Sequence, residues 1–124
     1  MSENNILYQS NKSSYGEIKI SDDVIAEIAV IAAKDVDGVK DTVGSNTNEI
    51  VSKFIKKNNT KGVKCQINDN KVVIDISLII KYGYSIKDTS NKVQEKIKNA
   101  IENMTDFSVT DININIASID IKDN

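Results

Sequence analysis

Val63-Lys64-Cys65-Gln66-Ile67-Asn68-Asp69-Asn70-Lys71-Val72-Val73-Ile74-Asp75-Ile76-Ser77-Leu78-Ile79-Ile80 is the stretch whose reading decides the fold. Val63, Cys65 and Ile67 alternate with Lys64 and Gln66, and Val72, Ile74, Ile76, Leu78 and Ile80 then share one parity. Period-two alternation puts one set of side chains on one side of a pleated strand. Asp69-Asn70 fits a two-residue type I′ turn, since both residue types tolerate positive φ. Such a turn pairs Ile67 with Val72, Cys65 with Ile74 and Val63 with Ile76. Opposed residues lie on one face of a sheet, so the turn and both apolar patterns select the same register. The apolar face of this hairpin must be covered by something.

Two stretches supply the cover. Ser21 reads as an N-cap, with Asp22 and Asp23 in a first turn where the helix dipole favours negative charge. Val24, Ile25, Ile28, Ala29, Ala32 and Val36 gather on one side of that helix, and Gly38 ends it. Its far side carries Ala26, Val30 and Ala33, read either as small residues on a surface helix or as an outward docking stripe. Ser85 starts a second helix, with Asp88 three residues on as a short-armed capping box. There Ile86, Val93, Ile97, Ala100, Ile101 and Met104 form a stripe, while Lys87, Asn91, Glu95, Lys98 and Glu102 lie away from it.

Two further strands complete the pattern. Glu17–Ile20 alternates as a short half-buried strand, and 109–121 is a long one whose parity slips at Ala117-Ser118, which implies a bulge. Residues 40–62 read mainly as loop, with a short helix over 49–57 that turns Ile50, Val51, Phe54 and Ile55 inward and Lys53, Lys56 and Lys57 to water. Residues 1–14 are polar and aperiodic, a flexible N-terminal arm; 15–121 form one domain and 122–124 a tail. The expected fold class is α+β: a two-layer sandwich of a four-stranded, mainly antiparallel sheet with two main helices on one face, in the order β-α-β-β-α-β. Ile18, Ile20, Cys65, Ile74, Ile76, Ile112 and Ile114 should face the helices. The pattern does not order the strands, and a ferredoxin-like split is the first choice.

The chemistry offered is sparse. The chain has 124 residues, no His and no Trp, no Pro and no Arg among its sixteen basic residues, and one cysteine. The commonest acid/base and metal ligand is therefore missing, as is the bidentate phosphate fork. A formal net charge of −2 sets up no field for nucleic acid or anionic lipid. None of the nucleotide-binding, nucleophile-elbow, zinc or CxxC motifs occurs. Cys65 lies on the apolar face of its strand, so it reads as packing and not as a nucleophile. Asn68-Asp69-Asn70 and Asp120/Asp123 lack the spacing of a calcium loop and read as turn and tail. The expectation is no catalytic, cofactor-binding or metal-binding residue.

Surfaces are the better candidates. Tyr82-Gly83-Tyr84, at the exit of the long strand, carries rings of the type favoured in interfaces, or rings packed over a sheet edge. The Phe54 segment with Lys53, Lys56 and Lys57 is a basic amphipathic turn, too short to prefer a membrane surface over a lid on the core. A four-stranded sheet with two helices also describes RNA-binding modules, but the expected open face has no aromatic and the chain has no GxxG loop. No apolar run approaches the length of a membrane span, and the first residues lack a signal peptide's basic and apolar regions. The single thiol suits a reducing cytosol.

Tyr15-Gly16-Glu17-Ile18-Lys19-Ile20-Ser21-Asp22-Asp23-Val24-Ile25, then Ile28-Ala29 and Ala32-Ala33-Lys34-Asp35-Val36-Asp37-Gly38-Val39, resembles the opening of the alkaline shock protein 23 family of Gram-positive bacteria. Tyr82-Gly83, Val93-Gln94-Glu95-Lys96-Ile97 and Met104-Thr105 resemble its second half. The likeness covers about residues 15–121 and is carried by structural motifs, none catalytic. The chain departs in its middle loop, often Gly-rich in the family, and at Asp69-Asn70, where Asp-Gly is usual. The resemblance implies a small cytoplasmic protein of stress response or cell-envelope homeostasis with no known catalytic activity. Some relatives self-associate and are held at the membrane by a small anchoring protein, which implies protein partners and a homo-oligomer, while others lie near genes of lipid synthesis.

Overall fold

The computed structural model describes residues 9–13, 15–43 and 62–121. Along the chain run β1 (Gln9–Ser13), β2 (Gly16–Ile20), α1 (Asp22–Lys34), β3 (Val39–Thr42), β4 (Val63–Asn68), β5 (Lys71–Lys81), α2 (Ile86–Met104) and β6 (Ser108–Asp120). The β4–β5 hairpin has the register that alternation selects: Val63 opposes Ile76, Cys65 opposes Ile74 and Ile67 opposes Val72. The turn differs from expectation. Among the described non-glycine residues only Asp69 has positive φ (59°), which marks a II′-like turn and not I′.

β5 is the centre of the sheet. Its Val72, Ile74, Ile76, Leu78 and Ile80 are all buried, each worth about 1.5–3 kcal/mol of transfer free energy. β6 runs parallel to β5 along one edge, joined through the α2 crossover that parallel strands require. The other edge is shared end to end by two antiparallel strands, β4 against the first part of β5 and β3 against the last. Ser77 marks the join: its N–H donates to the Gly62 carbonyl (2.9 Å) and its carbonyl accepts from the Val43 N–H (3.0 Å). Gly62 (φ 89°) is required there, because a Cβ would collide with the Val43 carbonyl oxygen.

The fourth strand of the main sheet is therefore β3, not Glu17–Ile20, and 40–62 is not all loop. β3 escapes a period-two reading because Asp41 and Thr42 are buried beside Val39. Asp41 meets this with Lys34 (3.5 Å) and with the Thr42 N–H (2.8 Å). β2 instead pairs with β1 in a separate two-stranded sheet, which makes Gln9–Ser13 a strand. Consequently Ile18 is exposed, and only Ile20 packs on the core.

β6 is 13 residues long against 11 for β5, and two bulges absorb the difference. One falls at Thr110, the other at Ala117, where the parity slips. The second keeps Ile119 opposite Ile80 and hence on the helix side.

The helices form one layer over one face. α2 buries Val93, Ile97 and Ile101 above the sheet, capped by Ser85, whose hydroxyl accepts from the Asp88 N–H (3.1 Å). α1 lies beside α2 and over β3 and β4. Because it is flanked on both sides, its apolar surface is wider than a single stripe. Ala26 and Ala33 are 4% and 0% exposed, so the outward stripe of Ala26, Val30 and Ala33 does not exist: both alanines belong to the core and Val30 is half-buried against it. Val24, expected inward, is exposed.

Candidate interaction surfaces

The strongest surface feature is the corner where β5 and β6 end and α2 begins. Lys81 donates its N–H to the Gly38 carbonyl (2.8 Å) and Tyr82 donates to the Asp120 carbonyl (2.9 Å), which ties the exit of β5 to both neighbours. Gly83 turns the chain at φ 102° into the Ser85 cap. The two tyrosines then part company. The Tyr84 ring lies over Gly38, where a Cβ would stand 2.8 Å from its Cδ2, and is half packed. Tyr82 is 75% exposed. Ile86, Ile119 and Ile121 add exposed apolar surface at the same end of the molecule, and Lys40 pairs with Asp120 at its margin (3.4 Å).

A second feature lies between the helices. Ile28, Ile31, Ala32, Ala100 and Met104 line an apolar groove of about 580 Å³. Ile31 and Met104 are more than two-thirds exposed. Lys34, Asp35 and Lys96 stand on the rim, with Lys96 bridging to Asp35 (3.0 Å). Lys34 is engaged instead with Asp41 (3.5 Å).

The outer edge of β6 is treated in two ways. Over its first part α2 seals it: the Glu102 carboxylate accepts from the Val109 N–H (2.8 Å), and the Gln94 amide donates to the Ile112 carbonyl (2.9 Å). Further along, among the described residues, no strand lies against it. On the open face, Asn113 donates to Asp75 (2.7 Å) and Asn115 to Ser77 (3.3 Å), polar rungs between parallel strands.

Titration at these places follows burial. Burial pushes the Cys65 thiol up to about 12, with the Asp22 and Asp23 carboxylates adding to it, so it is not a thiolate near neutral pH. Burial also raises Asp22, with Asp23 beside it as a further cause. The Lys98 hydrogen bond holds Glu102 below the usual carboxylate range, helped by the Val109 N–H. Among the described residues no group of three His, Cys, Asp or Glu side chains could hold a metal.

Of the sites expected from sequence, Tyr82 and Tyr84 both stand at the corner without a common surface, Tyr84 lying over Gly38 and Tyr82 exposed, whereas Ala26 and Ala33 are buried. Phe54, Lys53, Lys56 and Lys57 lie outside the described residues. The groove at Ile31 and the corner at Ile86, Ile119 and Ile121 were missed. The parity slip at Ala117 was the available signal for the latter.

Residues 10–121 match the model of a family described as "Asp23 family, cell envelope-related function". The chain is 37% identical over 120 residues to the uncharacterized protein YqhY of Bacillus subtilis, covering 96% of this chain and 89% of that protein. It is 21% identical over 109 residues to a stress response regulator gls24 homolog of Streptococcus pyogenes, covering 87% of this chain and 61% of the other. Solved structures of MamM CTD variants superpose with a TM-score of 0.54 at 12% identity for one of them, covering 77% of this chain and 93% of that one. At that identity the likeness is one of fold alone. No helix among the described residues is long and apolar enough to cross a membrane.

Proposed function

Because the chain belongs to the Asp23 family of cell envelope-related proteins (a name unconnected with residue 23 of this chain), we propose that it is a non-enzymatic stress-response and envelope-homeostasis protein. It acts in the cytoplasm by self-association and by docking a protein partner, a small membrane-anchoring protein among them. The observation that carries this reading is the apolar corner of Tyr82, Ile86, Ile119 and Ile121, all of them exposed at one end of the molecule. Apolar surface gathered in one place marks sites of association more often than chance. The groove with Ile31 and Met104 offers a second face for a partner.

Sedimentation of the full chain over a range of concentrations tests the reading. A mass that rises with concentration supports it. A monomer throughout, together with salt-sensitive retention on mixed DNA and RNA, replaces it with a nucleic-acid-binding regulatory module.

A further inference from the structure

We infer that the open part of β6 with the residue that follows it, residues 114–121, is a homotypic pairing edge through which two copies of this chain join antiparallel into one continuous sheet. This names the surface for the self-association proposed above and rests on that reading.

The argument begins with what closes an edge. Strand edges are kept from pairing by Pro, charged side chains (Lys above all), bulges, covering elements or short length; of these the segment holds a bulge at Ala117 and the one charge of Asp120. β6 has neither Pro nor Lys. Its covering device is α2, whose Glu102 and Gln94 take up backbone groups at Val109 and Ile112. Beyond Ile112 the strand continues for eight residues to Asp120. Thus the first part is sealed against addition of a strand and, among the described residues, the second is presented.

The presented part also complements itself. Ile114-Asn115-Ile116-Ala117-Ser118-Ile119-Asp120-Ile121 has the same pattern read in either direction: Ile, polar, Ile, small, small, Ile, polar, Ile. A two-fold axis between Ala117 and Ser118 opposes Ile114 with Ile121 of the second copy, Asn115 with Asp120, and Ile116 with Ile119. Such an isologous contact closes on itself. The bulge at Ala117 makes the match work. Without it, Ile114 and Ile116 would face the helices while Ile119 and Ile121 faced away. With it, Ile119 joins Ile114 and Ile116 on the helix side, and Ile121, just past the end of the strand, has the same parity as Ile119. Ile114 and Ile116 already pack on the core, and the exposed Ile119 and Ile121 extend that surface towards the second copy. Asn115, which donates to Ser77 within its own copy, and Asp120, which pairs with Lys40, lie on the other face and would oppose each other there as a polar pair. Cross-strand pairs of these kinds stabilise a sheet.

Two sets of variants of the full chain test this, with sedimentation and circular dichroism as readouts. Ile119→Lys with Ile121→Lys places two lysines on the edge and should raise the dimer dissociation constant roughly tenfold or more, with unchanged dichroism. Asn115→Cys with Asp120→Cys should give a covalent dimer on mild oxidation. Within one copy the two positions are about 17 Å apart along the strand, too far for a disulfide. By the same offset, either cysteine alone should give none. If the parent chain is monomeric at every concentration, both this inference and the self-association reading fall. If the parent associates but the lysine variant keeps its mass, or the cysteine pair does not cross-link, this edge is overturned and self-association stands. Should the lysine variant unfold, the cysteine pair decides.

Discussion

Replacing Gly38 with alanine should lower the unfolding free energy by about 2–4 kcal/mol, from two sources that can be separated. Gly38 has φ 98°, a conformation that costs an L-residue roughly 1–2 kcal/mol. Its carbonyl also accepts from Lys81 (2.8 Å), so the backbone cannot relax without losing that bond. In addition the new Cβ would stand 2.8 Å from Tyr84 Cδ2, 2.9 Å from Cγ and 3.1 Å from Thr89 Oγ1. The buried Thr89 has little room to yield, so the Tyr84 ring must lift, which adds about 1–2 kcal/mol of overpacking. Urea unfolding of the parent, Gly38→Ala, Tyr84→Ala and the double variant forms a cycle. In the Tyr84→Ala background the cost of Gly38→Ala should shrink by roughly 1 kcal/mol but not vanish, because the φ penalty survives removal of the ring. The reasoning is refuted if Gly38→Ala matches the parent, or if its cost is the same with and without the Tyr84 ring.

Cys65, with its thiol pushed up to about 12, should react with iodoacetamide at pH 8 at least ~100-fold more slowly than an ordinary exposed thiol. Urea should restore the ordinary rate, and rapid labelling of the folded chain would contradict its burial. Glu102 has its carboxyl held low by Lys98, so its bonds to Lys98 and the Val109 N–H contribute stability above its unfolded value of about 4.3. That contribution is lost as pH falls through the lower folded value. Urea midpoints followed from neutral pH downwards should therefore drop less steeply for Glu102→Gln than for the parent, and parallel curves would count against the assignment.

Local pattern and long-range packing contributed different parts of this fold. The β4–β5 register was legible because the Asn68–Lys71 turn and the apolar parities of both strands impose the same constraint. The bulge at Ala117 was legible because a parity slip in a long strand has few other outcomes. Ser85 was legible because its cap is formed within four residues. β3 was not, since its burial of Asp41 depends on Lys34 from another element. Nor was the exile of β2: Glu17–Ile20 alternates as well as a main-sheet strand does, and only its pairing with β1 shows otherwise.

By itself, then, the order of residues determined the hairpin, both helices, the class of the fold and the poverty of reactive groups. These depend on period, capping and composition, all short-range. Which strands became neighbours, that Ala26 and Ala33 lie inside, and which part of the β6 edge α2 seals were decided only in three dimensions. Each depends on how a helix is flanked or which side chain reaches an edge, and no periodicity along one segment carries that information.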